Sequence, residues 1–218
     1  TGSNRGSGDS GMSTAYGVFC SMRAAAEHVW GARGLAERHI GVEGVGKVGS
    51  HLVELLLDAG ARVSVADPST GSVARLREHH PEITVLPSVL EADLDVYAPC
   101  AMGAVLTPAT VPQVRARLVC GAANNQLLDH SVAGLLQQRE ITWVPDYLAN
   151  AGGLIQVASE IWEHTVEEVH ERVGEIAVTV REVLERSTHS GQTPSDVADQ
   201  IVTERIAPTS ADTTKDVR

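Results

Sequence analysis

From Thr14 the apolar residues recur at helical spacing. Val18, Met22, Ala25 and Val29 share one face and Ser13 or Thr14 stands where a cap belongs, so a helix is predicted over 14–30. A loop bounded by Gly31 and Gly34 follows, and then the period changes. Residues 39–43 are a short apolar run that leads straight into glycines, which predicts a strand. Helical spacing returns over 46–59, with Val48, Leu52, Leu55 and Leu56 facing inward and Gly60 where a helix C-terminus favours glycine. The alternation continues with a strand over 62–66, a helix over 73–79 stopped by Pro81, strands over 83–86, 95–98 and 117–120, a helix over 131–139 and a last strand over 141–144. After Gly152-Gly153 the strands stop. Helices are predicted over 154–162, 167–186 and 195–206, and the polar residues from Pro208 read as a disordered tail.

Strands separated by helices at this spacing argue for βαβ units and a parallel sheet. Six strands are the number expected of a doubly wound dinucleotide domain. The turn after the first strand carries the matching signature, Gly44-Val45-Gly46-Lys47-Val48-Gly49. Gly44 permits the tight turn, Gly46 lets a pyrophosphate approach the backbone, and Gly49 lets helix and strand pack closely. The helix start offers free N–H groups and a partial positive charge to the phosphates, with Lys47 nearby. Asp67 lies 18 residues beyond Gly49 at the end of the second strand, where an acid accepts hydrogen bonds from the adenine ribose and repels a 2′-phosphate. No arginine follows in Pro68-Ser69-Thr70, so the pattern favours NAD over NADP.

The expected fold is therefore α/β: a Rossmann-type, doubly wound, mostly parallel sheet with additional C-terminal helices. Its expected division is a linker and domain-joining helix over 1–34, an NAD-binding domain over 35–153, packing helices over 154–207 and a disordered tail over 208–218. Three further segments fall at strand ends: Pro99-Cys100-Ala101-Met102-Gly103, Gly121-Ala122-Ala123-Asn124-Asn125, and the run from Pro145 to Gly153. In an open parallel sheet ligands bind outside those ends. Small residues clear space there, and asparagine supplies the paired donor and acceptor that a carboxamide needs.

Composition narrows the partners. The 218 residues suit one large domain or a domain with a tail, and a formal net charge of −11 disfavours nucleic acid and anionic membranes. No apolar run is long enough to span a bilayer and no signal-peptide pattern opens the chain. Cys20, Cys100 and Cys120 are odd in number and widely spaced without a C-x-x-C, which points to buried thiols in a reducing cytoplasm and to no metal site. The only lysines are Lys47 and Lys215.

Taken together, the segments Gly6–Ser10, Thr14–Phe19, APCAMG from Ala98, GAANNQ from Gly121 and PDYLANAGG from Pro145 resemble the Glu/Leu/Phe/Val amino-acid dehydrogenases, most closely the actinobacterial valine branch, with the phenylalanine and leucine enzymes near it. The resemblance runs from about Gly6 to Ala207. It implies oxidative deamination of an L-amino acid to its 2-oxo acid, with NAD accepting hydride. By the same resemblance Gly44, Gly46 and Gly49 hold the pyrophosphate and Asp67 the adenosine ribose. Cys100, Ala101, Ala122 and Asn124 line the cofactor, Thr14 lies near the nicotinamide, and Asn150 stands between nicotinamide and substrate. Leu154 and Val157 wall the substrate side chain, though their spacing is also that of an ordinary core stripe.

The family's catalytic lysine, its carboxylate-binding lysine and its catalytic aspartate lie in a preceding domain that these residues do not include. Neither lysine present substitutes, and Asp146 has no catalytic counterpart. No catalytic residue is therefore assigned within the chain, which is expected to bind NAD without turnover. A complementing chain that carries the missing domain, or a non-catalytic NAD-binding module, are the alternatives. Loss of that domain is expected to uncover an apolar face around Val18, Phe19 and the C-terminal helices, open to self-association.

Overall fold

The computed structural model describes residues 10–162 and 164–206. Ser10–Trp30 forms α1, four residues longer at its start than the apolar stripe indicates. His39–Glu43 (β1), Lys47–Asp58 (α2) and Arg62–Ala66 (β2) follow. Next come Thr70–His79 (α3), Thr84–Val85 (β3), Val96–Pro99 (β4) and Leu118–Val119 (β5). Ser131–Gln138 (α4) and Thr142–Trp143 (β6) complete the alternation. The sheet order is β3-β2-β1-β4-β5-β6 and every pairing is parallel. Chain order thus reverses between β1 and β4, and there the strand ends open a crevice.

Successive strand residues point to opposite faces, and so the sheet separates two cores. Ile40, Val42, Val63, Val65, Val96 and Ala98 pack with α1, α2 and Ile176, Val180 and Leu184 on one side. Tyr97, Val119 and Trp143 pack with Leu106, Val132 and Leu136 on the other. The helix α1 is part of the first core: Ala15, Val18, Met22 and Ala25 are fully buried. Val18 therefore belongs to no exposed face, and Phe19 packs half-buried against the same core. The expectation of an exposed face is corrected at Val18, which the fold buries, whereas on the C-terminal helices Leu154, Ile161 and Val166 are exposed.

Beyond the sheet lie a short helix the periodicity missed, Asp146–Ala149 (α5), then Gly152–Ile161 (α6). The run expected as a single helix over 167–186 is two, Val166–Gly174 (α7) and Ile176–Ser190 (α8). They part at Gly174, whose helix propensity is poor. A capping box starts α7 cleanly, with Thr165 Oγ1 accepting from the Glu168 amide and the Glu168 carboxylate from the Thr165 amide. Pro194–Ile206 (α9) closes the described chain. The tail expected from Pro208 and the Gly6–Asp9 segment lie outside the described residues.

Where α1 meets α5 and α6 the backbones nearly touch. A Cβ on Gly152 would run into the Ser13 carbonyl oxygen, and one on Gly17 would stand 3.1 Å from the Ala149 carbonyl oxygen. The Gly152-Gly153 pair thus lets α6 start hard against α1, beside the strand ends.

Candidate cofactor site

The glycine turn sits at the point of strand reversal. Gly44 adopts φ 99°, a conformation L side chains rarely adopt, and a Cβ there would lie 2.6 Å from the Ala101 Cβ. A Cβ on Gly49 would collide with the Gly44 carbonyl oxygen and approach Cys100 Cβ at 3.4 Å. Gly44 and Gly49 are therefore demanded by the protein's own packing. Gly46 differs, since among the described residues no atom beyond its own chain neighbours lies within 4 Å of where its Cβ would be. It is the N-cap of α2 and offers no side-chain acceptor to the first helical turn. Open space in front of a helix start with no cap is what a pyrophosphate requires, so the residues present fit a dinucleotide.

Asp67 stands at the end of β2, half-buried. Its Oδ2 accepts from the Val45 amide at 2.8 Å and its Oδ1 from the Ser69 amide at 2.7 Å. The carboxylate thus ties the glycine turn to β2, and its remaining lone pairs can still accept. Lys47 is exposed as the first residue of α2, while Val48 packs half-buried against the core.

A second group forms at the ends of β5 and β6. Asn150 follows α5, and its Nδ2 donates to Asn124 Oδ1 at 2.7 Å and to the Ala122 carbonyl at 3.2 Å. Cys100 and Ala101, just past β4, link the two groups: the Cys100 amide donates to the Glu43 carbonyl at 2.7 Å. Thr14 approaches from α1, its Oγ1 donating to the Ser10 carbonyl and lying 2.5 Å from where a Gly153 Cβ would be. Leu154 and Val157 lie apart on α6, 73% and 51% exposed. They are no core stripe, and with Met12, Ile161, Trp162 and Val166 they make up an exposed apolar set.

Two features escaped the sequence. Tyr97, fully buried on β4, donates to Glu43 Oε2 at 2.8 Å, and Ser88 donates to Glu43 Oε1. Burial, then the Glu43 charge, push the Tyr97 phenol well above the usual range. Asp146, set aside as catalytic, is a buried acceptor for the amides of Gln126 (2.9 Å) and Tyr147 (2.8 Å). Burial also pushes the Cys100 thiol up to about 12 and the Cys120 thiol still higher. Among the described residues no group of His, Cys, Asp and Glu could hold a metal, and no helix is long and apolar enough to cross a membrane.

A doubly wound parallel sheet with a glycine cradle at its reversal point defines a dinucleotide-binding class of fold. Within it, this chain belongs to the Glutamate/Leucine/Phenylalanine/Valine dehydrogenase family, whose sequence profile matches residues 6–82 and 68–213. The valine dehydrogenase of Streptomyces virginiae is 43% identical over 208 residues, covering 94% of this chain and 58% of the relative. The phenylalanine dehydrogenase of Thermoactinomyces intermedius is 38% identical over 204 residues, covering 92% of this chain and 56% of the relative. The chain thus spans little more than half the length of these relatives. The crystal structure of L-tryptophan dehydrogenase from Nostoc punctiforme superposes with a TM-score of 0.87 at 31% identity, over 92% of this chain and 62% of that one.

Proposed function

We propose that this chain is the cofactor-binding part of an NAD-dependent L-amino-acid dehydrogenase, acting in the cytoplasm on an aliphatic or aromatic substrate such as valine. The observation that carries the reading is the open approach to the α2 N-terminus at Gly46, in a chain of this family. Gly44, Gly46 and Gly49 would hold the pyrophosphate, with Lys47 and Val48 at the helix start. Asp67 takes the adenine ribose and turns a 2′-phosphate away. Cys100, Ala101, Ala122 and Asn124 line the way to a nicotinamide held beside Thr14 and Asn150. The nicotinamide supplies the hydride acceptor. Asn150 orients the carboxamide edge, and Leu154 and Val157 stand where a substrate side chain is received.

Residues 35–153 form the binding domain in this reading, joined through 1–34 and braced by 154–207. Deamination also needs a base for the amine and a cation for the carboxylate. This reading takes the base and the cation from a complementing domain, and has the chain by itself bind NAD without turning over an amino acid. Calorimetric titration with NAD and NADP tests this. NAD should bind the more tightly, and Asp67→Ala should weaken it about tenfold, some 1.4 kcal/mol. Failure of both dinucleotides to bind would remove the reading. Turnover of valine, leucine or phenylalanine by the pure chain would remove its inactive part.

A further inference from the structure

Behind the Asn124–Asn150 pair lies a buried polar knot that touches no surface of the crevice. Gln126 is fully buried and uses every polar group it has. Its Nε2 donates to the Gly121 carbonyl at 2.9 Å and to the Ala123 carbonyl at 3.1 Å. Its Oε1 accepts from the Trp143 indole N–H at 3.1 Å. Its backbone amide donates to Asp146 Oδ2. The two carbonyls gripped by Nε2 flank Ala122, whose own carbonyl receives Asn150 Nδ2. Asp146, the anchor of the amide, also opens α5 and accepts the Asn150 amide on its carbonyl at 2.8 Å. One glutamine therefore fixes, from both sides, the acceptor and the donor of the contact that sets Asn150.

We infer that Gln126, backed by Trp143 and Asp146, is the positioning residue for the nicotinamide end of the site. It holds the loop after β5 and the loop after β6 in mutual register, so that Ala122 and Asn150 present one fixed edge to the carboxamide. The adenine end is held by its own contacts, with the Asp67 carboxylate on the Val45 and Ser69 amides. A site whose polar edge is held by buried, saturated groups loses affinity when the holder is removed, because the freed carbonyls must reorient before the ligand can be met. The inference rests on the NAD reading above.

The test compares NAD with ADP-ribose, which carries the adenine half and lacks the nicotinamide ring. In the full chain Gln126→Met keeps the length of the side chain and removes all three of its side-chain hydrogen bonds. The dissociation constant for NAD should rise about tenfold while that for ADP-ribose changes less than about twofold. Trp143→Phe removes one donor, and the same selective loss should appear at roughly threefold, which keeps the question answerable if Gln126→Met does not fold. Thermal midpoints taken alongside separate stability from positioning. Equal losses for both ligands, or none for either, in a folded variant would overturn the inference and leave the NAD reading standing. A parent chain that binds neither ligand would overturn both.

Discussion

The rim at the strand ends and the outer face of α6 adjoin each other at Gly152, and they are built on opposite terms. At the rim, nearly every polar group named above has its partner inside the chain. Asp67 holds two amides, Glu43 two hydroxyls and Asp146 two amides, and glycines stand where backbones meet. On α6 the side chains of Leu154, Val157 and Ile161 meet solvent instead, and Trp162 and Val166 extend the apolar strip towards α7. Exposed in this way, these side chains add nothing to internal packing. Self-sufficient geometry thus goes with the strand-end rim, where the cofactor is proposed to bind. Unfinished burial goes with the face of α6 proposed above to receive a substrate side chain.

The comparison is broken most forcefully at Gly49. Gly49→Val would press its side chain into the Gly44 carbonyl, and NAD affinity should fall more than about a hundredfold, since displacing a positioned group by an ångström can cost that much. Unchanged titration curves for this variant would show that the turn is not the cradle. A smaller loss is expected from Tyr97→Phe. Glu43 would keep only the Ser88 hydroxyl, and urea unfolding should show about 1–2 kcal/mol less stability. An unaltered midpoint would mean that the pair does not brace the end of β1.

The rim should also show itself in alkali. Burial raises the Cys100 thiol from the ordinary 9.0 to about 12. Between those values the unfolded state loses the proton and the folded state keeps it, so the unfolded state binds fewer protons and stability falls as pH rises. The contribution is complete below about pH 9 and is lost towards about pH 12. Thermal midpoints followed from about pH 8 to about pH 10.5 should decline, and Cys100→Ala should flatten the decline. An identical slope in the variant would contradict it. The smallest effect on the fold is expected on α6. The double change Leu154→Ser and Val157→Ser should leave stability within about 0.5 kcal/mol and NAD affinity unaltered. In an enzyme completed by its other domain, the same change should shift preference among valine, leucine and phenylalanine. A stability loss well beyond that figure would place the two residues in the core after all.

Much of this molecule is legible along the chain. The alternation of period 2 and period 3.6 locates all six strands and most helices, and β1, with its turn and Asp67, is placed residue for residue because glycine spacing and hydrophobic period agree there. The division between α7 and α8 was hidden, since the apolar period runs through Gly174 without interruption. The short α5 was hidden too, being a single turn. Gln126 gave only a weak signal, a polar residue closing a run of small ones. A buried glutamine looks like any surface glutamine until its partners are known, and those partners, Gly121, Ala123, Trp143 and Asp146, come from three different segments.

By itself, then, the sequence determined the order of elements, the parallel sheet and the glycine turn with Asp67 beside it, because each of these depends on local spacing. Only the tertiary structure decided that α1 lies inside the core, that Leu154 and Val157 face outward, and that Asp146 anchors a loop. Those outcomes depend on which distant segment covers a side chain or accepts its hydrogen bond, and periodicity carries no record of that choice.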